Sequence, residues 1–127
     1  MNVVVNRFGF LKNIMNRMMV SIAPGVGKPM SSEKSFETQI KKFLDAEGCW
    51  FLKVWGGGFQ KSGIPDLLIC CNGYFVAVEV KGDRGRASEL QRYHLDQIKK
   101  AGGAGLILYP KDFDEFKTLI KKLKGGE

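Results

Sequence analysis

The dipeptide Asn72-Gly73 lies in the middle of a mostly apolar stretch, Gly63 to Lys81. Asn-Gly between apolar runs predicts a β-hairpin, because both residues tolerate the positive φ of a type I′ turn. A two-residue turn also fixes register. Cys71 then faces Tyr74, Cys70 faces Phe75, Leu68 faces Ala77, and Asp66 faces Glu79. Directly opposed residues have Cβ atoms roughly 4.5–5.5 Å apart, and like charges placed so are destabilising. Two carboxylates about 4 Å apart repel by on the order of 4 kcal/mol at an effective dielectric near 20. A shared proton, or a cation held by both, must offset that repulsion. Side chains alternate along a strand, so Lys81 shares the face of Glu79. One sheet face therefore presents Asp66, Glu79 and Lys81 together. Two hard oxygen donors suit Mg²⁺, which takes one or two carboxylates plus water and substrate phosphate. Mn²⁺ suits the same ligands.

Length bounds the chain to one domain, since 127 residues bury a substantial core. Hydrophobic residues at 44% and charged residues at 26% fit a soluble globular protein. No apolar run approaches the roughly 18 residues of a membrane span. The net charge of +7 points to a polyanionic partner. Residues 1–30 hold Arg7, Lys12, Arg17 and Lys28 without an acid, so +4 lies there and +3 in the rest. Cys49, Cys70 and Cys71 form no Cys-x-x-Cys pair. They read as small buried side chains of predicted strands in a reducing compartment, not disulfides or zinc ligands.

Residues 1–31 read as a basic arm, poorly ordered or accessory, ending in a Pro/Gly-rich linker, and residues 32–127 as the folded domain. A first helix is predicted from Ser32 to Ala46, with Phe36, Ile40, Phe43 and Leu44 as its apolar stripe. Cys49 to Trp55 alternates as a strand. The glycine loop Gly56–Gly63 then leads to the Pro65-Asp66 corner. Lys53 and Lys61, beside Trp55 and Phe59, fit nucleic-acid contacts in which cations meet phosphates and rings meet bases. A mobile surface turn is the competing reading. After Lys81, Arg84 and Arg86 suit bidentate phosphate contacts. Ser88-x-x-Gln91 is a capping box opening a second helix, ended by Gly102-Gly103. His94 on that helix reads as structural or phosphate-facing. Gly105 to Tyr109 is a short strand, and Asp112-x-x-Glu115 caps a last helix with Phe113, Phe116, Ile120 and Leu123 as its core stripe. The predicted order is αβββαβα, an α/β fold with a mixed sheet flanked by helices.

Pro65-Asp66, followed thirteen residues beyond Asp66 by Glu79-Val80-Lys81, resembles the signature of the PD-(D/E)xK nuclease superfamily. Gly63-x-Pro65-Asp66, the Glu-Val-Lys strand and Ser88-x-x-Gln91 look more narrowly like its virus-type replication-repair nuclease (VRR-Nuc) domain, over roughly Glu33 to Pro110. The resemblance implies a restriction-endonuclease-like core and a metal-dependent DNA endonuclease. It implies that the Val80 carbonyl joins Asp66 and Glu79 as a metal ligand and that Lys81 positions water or stabilises the developing charge. It also implies that Gln91 faces the site from the second helix, in alternation with its capping role, and that a first-helix glutamate contributes. Spacing back from Gly48 favours Glu37, with Glu33 as competitor. Small stand-alone members resemble Holliday-junction resolvases, which implies a homodimer on branched or four-way-junction DNA in the cytoplasm of a bacterial or phage-infected cell. The alternatives are a binding module that keeps the fold without cutting, and a nuclease acting on other duplex or flap DNA.

Overall fold

The computed structural model describes residues 32–55 and 62–125. The arm at residues 1–31 and most of the glycine loop, including the Lys61 contact and Phe59, lie outside the described residues. The elements run α1 (Glu33–Ala46), β1 (Trp50–Lys53), β2 (Leu67–Cys71), β3 (Tyr74–Val80), α2 (Glu89–Lys100), β4 (Ala104–Leu108), a 3₁₀ turn (Pro110–Asp112) and α3 (Phe113–Leu123). The predicted αβββαβα order holds, and no helix among the described residues is long and apolar enough to cross a membrane.

The hairpin forms as its turn dictates. Asn72 and Gly73 take φ of 50° and 83°, and Cys71 pairs with Tyr74, Cys70 with Phe75, and Leu68 with Ala77. The four strands lie in chain order; β1–β2 and β2–β3 are antiparallel, and β3–β4 is parallel. A parallel pair needs a crossover, and α2 supplies it.

Alternation along the strands separates two cores. Leu67, Ile69, Val76, Val78, Val80, Leu106 and Leu108 pack on Phe36, Ile40 and Leu44 of α1 and Phe116, Leu119 and Ile120 of α3. Edge-to-face rings tie the two helices, with Phe36 and Phe113 centroids 5.4 Å apart. On the opposite face Leu95 of α2 packs on Ala77, Ile107 and Tyr109. The helix lies so close that a Cβ on Gly105 would stand 2.7 Å from the Leu95 carbonyl oxygen, which excludes any larger residue there. Trp50, Leu52 and Phe75 remain exposed on that face, at 63%, 50% and 45%.

Three expectations are corrected. Asp112 does not cap α3: its side chain makes no capping bond. Its backbone is at φ −96°, ψ 2° rather than extended, because the 3₁₀ turn runs straight into the helix. The thiols are not all buried, since Cys70 is exposed and Cys49 half-buried. Cys49 also precedes β1 instead of lying within it.

Candidate active site

The strand ladder between β2 and β3 stops at Leu67 and Val78. Pro65, which would face Val80, has no N–H to continue it. The Val80 N–H instead donates to the Asp66 Oδ2 at 2.8 Å. On the other side the Val54 N–H donates to the Asp66 backbone carbonyl at 2.8 Å. Asp66 is thus held by β1 through its backbone and by β3 through its side chain. Val80 buries its side chain in the core on the opposite face from Glu79, so only its backbone reaches this corner.

Glu79 is the only buried charged residue among those described, at 2% exposure. Its Oε1 accepts from the Gln91 Nε2 at 2.6 Å and lies 3.9 Å from the Lys81 Nζ. Its Oε2 is buried without a hydrogen-bond partner. Burial first, then the charge of Asp66, pushes its pKa from 4.5 up to about 8; Lys81 opposes this, and Glu33 and the closeness of the Asp66 carboxyl, with which the protonated form can share its hydrogen, add to it. The repulsion implied by hairpin register therefore falls on Glu79.

Gln91 serves two elements at once. The Ser88 N–H donates to its Oε1 at 2.8 Å, completing the capping box, while its Nε2 donates to Glu79. The expected alternation between these roles is corrected, because a carboxamide has a separate acceptor and donor end. Gly63 makes this approach possible. A Cβ there would stand 2.8 Å from the Leu90 Cγ and 3.1 Å from the Gln91 nitrogen, and its φ is 79°.

Lys53 is tied into the site rather than lying open on the surface. Its Nζ donates to the Glu37 Oε1 at 2.5 Å and lies 3.7 Å from the Asp66 Oδ1 and 5.5 Å from the Trp55 ring centroid. Burial acts to lower its pKa, but the Glu37 bond and the charges of Asp66 and Glu37 outweigh that and raise it. Glu37 also pairs with Lys41 at 3.5 Å. Glu37 thus reaches Asp66 through a lysine, whereas exposed Glu33 acts on Glu79 by charge. Neither Lys53 link had a signal in the sequence: the pairing of Lys53 with Leu67, next to Asp66, belongs to the β1–β2 register, and the bond to Glu37 depends on how α1 packs against β1.

Arg84 and Arg86 are exposed in the loop after Lys81, open to a polyanion. A Cβ on Gly85 of that loop would meet the Lys81 stem at 3.1 Å, so the turn lies along the lysine. His94 is half-buried on α2 with its ring 5.4 Å from that of Tyr93. Among the described residues no group of three or more His, Cys, Asp or Glu gathers as a metal site. The available donors are two carboxylates and backbone. One Glu79 oxygen is left without a partner in a buried corner, which fits a cation that takes few protein ligands.

A family model for the archaeal Holliday junction resolvase (Hjc) matches residues 30–121, most of the chain. No curated protein and no solved structure gave a match. With the α/β core and the Asp66–Glu79–Lys81 corner in place, the chain belongs to the archaeal Holliday junction resolvase family, structure-specific nucleases of the PD-(D/E)xK superfamily.

Proposed function

We propose that Asp66, Glu79 and Lys81 form the catalytic centre of a Mg²⁺-dependent endodeoxyribonuclease that cuts four-way junctions as a two-fold dimer. The observation that carries this reading is the Glu79 carboxylate, buried beside Asp66 and Lys81 with Oε2 unpartnered. A negative group so placed needs a proton or a cation. Asp66, Glu79 and the Val80 carbonyl would hold Mg²⁺, or Mn²⁺ in its place. Such an ion supplies Lewis acidity at the scissile phosphate and makes a nearby water more acidic.

The chain's own groups do the rest. Gln91 fixes Glu79 by one oxygen and leaves the other without a partner, so that it could hold the cation. The Val80 N–H and Lys53 hold Asp66, and Glu37 holds Lys53. Lys81 orients the attacking water or stabilises charge developing on the phosphate. Arg84, Arg86 and Lys61 contact the phosphate backbone. Gly63-x-Pro65-Asp66 and the Ser88-x-x-Gln91 helix opening support a VRR-Nuc-like subtype within the superfamily. A DNA substrate and three free thiols support a cytoplasmic setting.

The test is cleavage of labelled linear duplex, single strand, flap and four-way junction with Mg²⁺, Mn²⁺ or EDTA. Wild type should nick the junction symmetrically and only with metal. Asp66→Ala and Lys81→Ala should lose ~100-fold or more of the rate while keeping the fold and junction binding. Normal cleavage by Lys81→Ala would sink the assignment. Binding without cutting in either metal would establish a non-cleaving module instead.

A further inference from the structure

At the end of the sheet away from this corner, Cys49 and Cys71 stand side by side. The β1–β2 register pairs Trp50 with Cys70, so the next step sets Cys49 opposite Cys71 on one face. Cys71 is also the first partner of Tyr74 after the two-residue turn, and its backbone groups bond toward β3. Toward β1 it therefore belongs to a non-hydrogen-bonded pair, in which Cα atoms lie about 4.5 Å apart. That falls within the roughly 4.4–6.8 Å that a disulfide spans. The thiols already touch, with sulfurs 3.4 Å apart. Cys71 is buried, and half-buried Cys49 opens on a cleft of about 220 Å³ lined by Gly48, Cys49, Cys71, Asn72 and Lys124.

We propose that Cys49 and Cys71 are a redox modification site, which closes to an intramolecular disulfide with a small disulfide oxidant such as oxidised glutathione and locks edge strand β1 to β2. The Cys49 thiolate attacks one sulfur of the oxidant, forming a mixed disulfide and releasing one glutathione thiol. The Cys71 sulfur then attacks the Cys49 sulfur, its proton passing to solvent or to the departing second glutathione. Two protein thiols are oxidised and one disulfide is reduced to two thiols. Exposure makes Cys49 the entering group. Cys71 comes second, since burial and the neighbouring Cys49 raise its pKa. Exposed Cys70 points to the other face and cannot join the pair. β1 has four residues and a single neighbouring strand, and its far end carries Lys53, the counter-ion of Asp66. A bond at Cys49 fixes the register that keeps Lys53 there.

The experiment uses the full chain with Cys70→Ser, treated with oxidised glutathione, alkylated, and mapped by mass spectrometry with melting curves alongside. Both remaining thiols should vanish together in a monomeric product lighter by two hydrogens. A Cys49–Cys71 cross-linked peptide should appear, and Tm should rise by several degrees and revert with dithiothreitol. Cys49→Ser or Cys71→Ser in the same background should abolish the rise. Persistence of two alkylatable thiols in the folded protein, or arrest at a glutathione adduct on Cys49, would overturn the site. A disulfide that left Tm unchanged would overturn the lock.

Discussion

At Glu79 the same burial that suits a cation penalises its absence. The carboxyl has a pKa of about 8 in the folded chain against an ordinary 4.5. Between those values the folded, metal-free protein binds a proton that the unfolded chain has released. Linkage then makes stability fall as pH rises, by up to about 1.4 kcal/mol per pH unit. The contribution is full below pH 4.5, is lost through about pH 8, and is flat above. Denaturant unfolding of EDTA-treated protein across that window should show the decline, and Glu79→Gln should flatten it; stability rising with pH in wild type alone would refute the assignment. A divalent ion held by Glu79, as proposed, would displace this proton, so its affinity should climb up to about tenfold per pH unit below the same limit. Asp66, Glu79 and Lys81 were legible in the sequence because a two-residue turn dictates register. The second bond of Gln91 and the Glu37–Lys53–Asp66 chain were not, since they join elements whose relative placement no local pattern encodes.

Among the elements, capping separates two helices that look alike in sequence. Ser88 accepts from the Gln91 N–H at 3.1 Å, so Ser88→Ala should cost about 1 kcal/mol by the usual value of an N-cap. Asp112 makes no such bond, and its buried Oδ2 has no partner. Asp112→Ala should therefore cost less than Ser88→Ala in parallel urea titrations, and the reverse order would show that Asp112 caps α3. Gly63 sets where α2 begins. With positive φ and Leu90 2.8 Å from a would-be Cβ, Gly63→Ala should destabilise the fold by about 1 kcal/mol or more. It should also lower cleavage beyond what that instability explains, because Gln91 moves with the helix. The order of helices and strands was readable from periodicity, glycine stops and the Asn-Gly turn. Strand ends were not, and Cys49 and Tyr109 fell just outside β1 and β4, where pairing rather than composition decides.

For the whole molecule the outer face of the sheet, from β1 to the start of β3, is an apolar surface without a covering helix among the described residues. Helix α2 packs over β3 and β4 and leaves Trp50, Leu52 and Phe75 in solvent on one side, with Leu90 and Tyr93 exposed on the helix. Scattered apolar side chains need no explanation, but a group on one face suits an interaction surface. One chain offers one catalytic corner, whereas a four-way junction presents two symmetric strands to cut. In the proposed two-fold dimer a second copy would supply the other corner, and an isologous contact would use the same patch twice. Leu52→Glu should then convert the dimer to a monomer in light scattering and reduce paired junction nicks to single ones. It should change the stability of the isolated fold by no more than about 0.5 kcal/mol, as for an ordinary surface substitution. Asp66→Ala mixed with wild type gives a complementary reading, because dimers with one working corner should nick one strand only. A wild-type protein that stays monomeric on junction DNA and still cuts both strands at once would overturn the two-fold arrangement while leaving the catalytic corner in place.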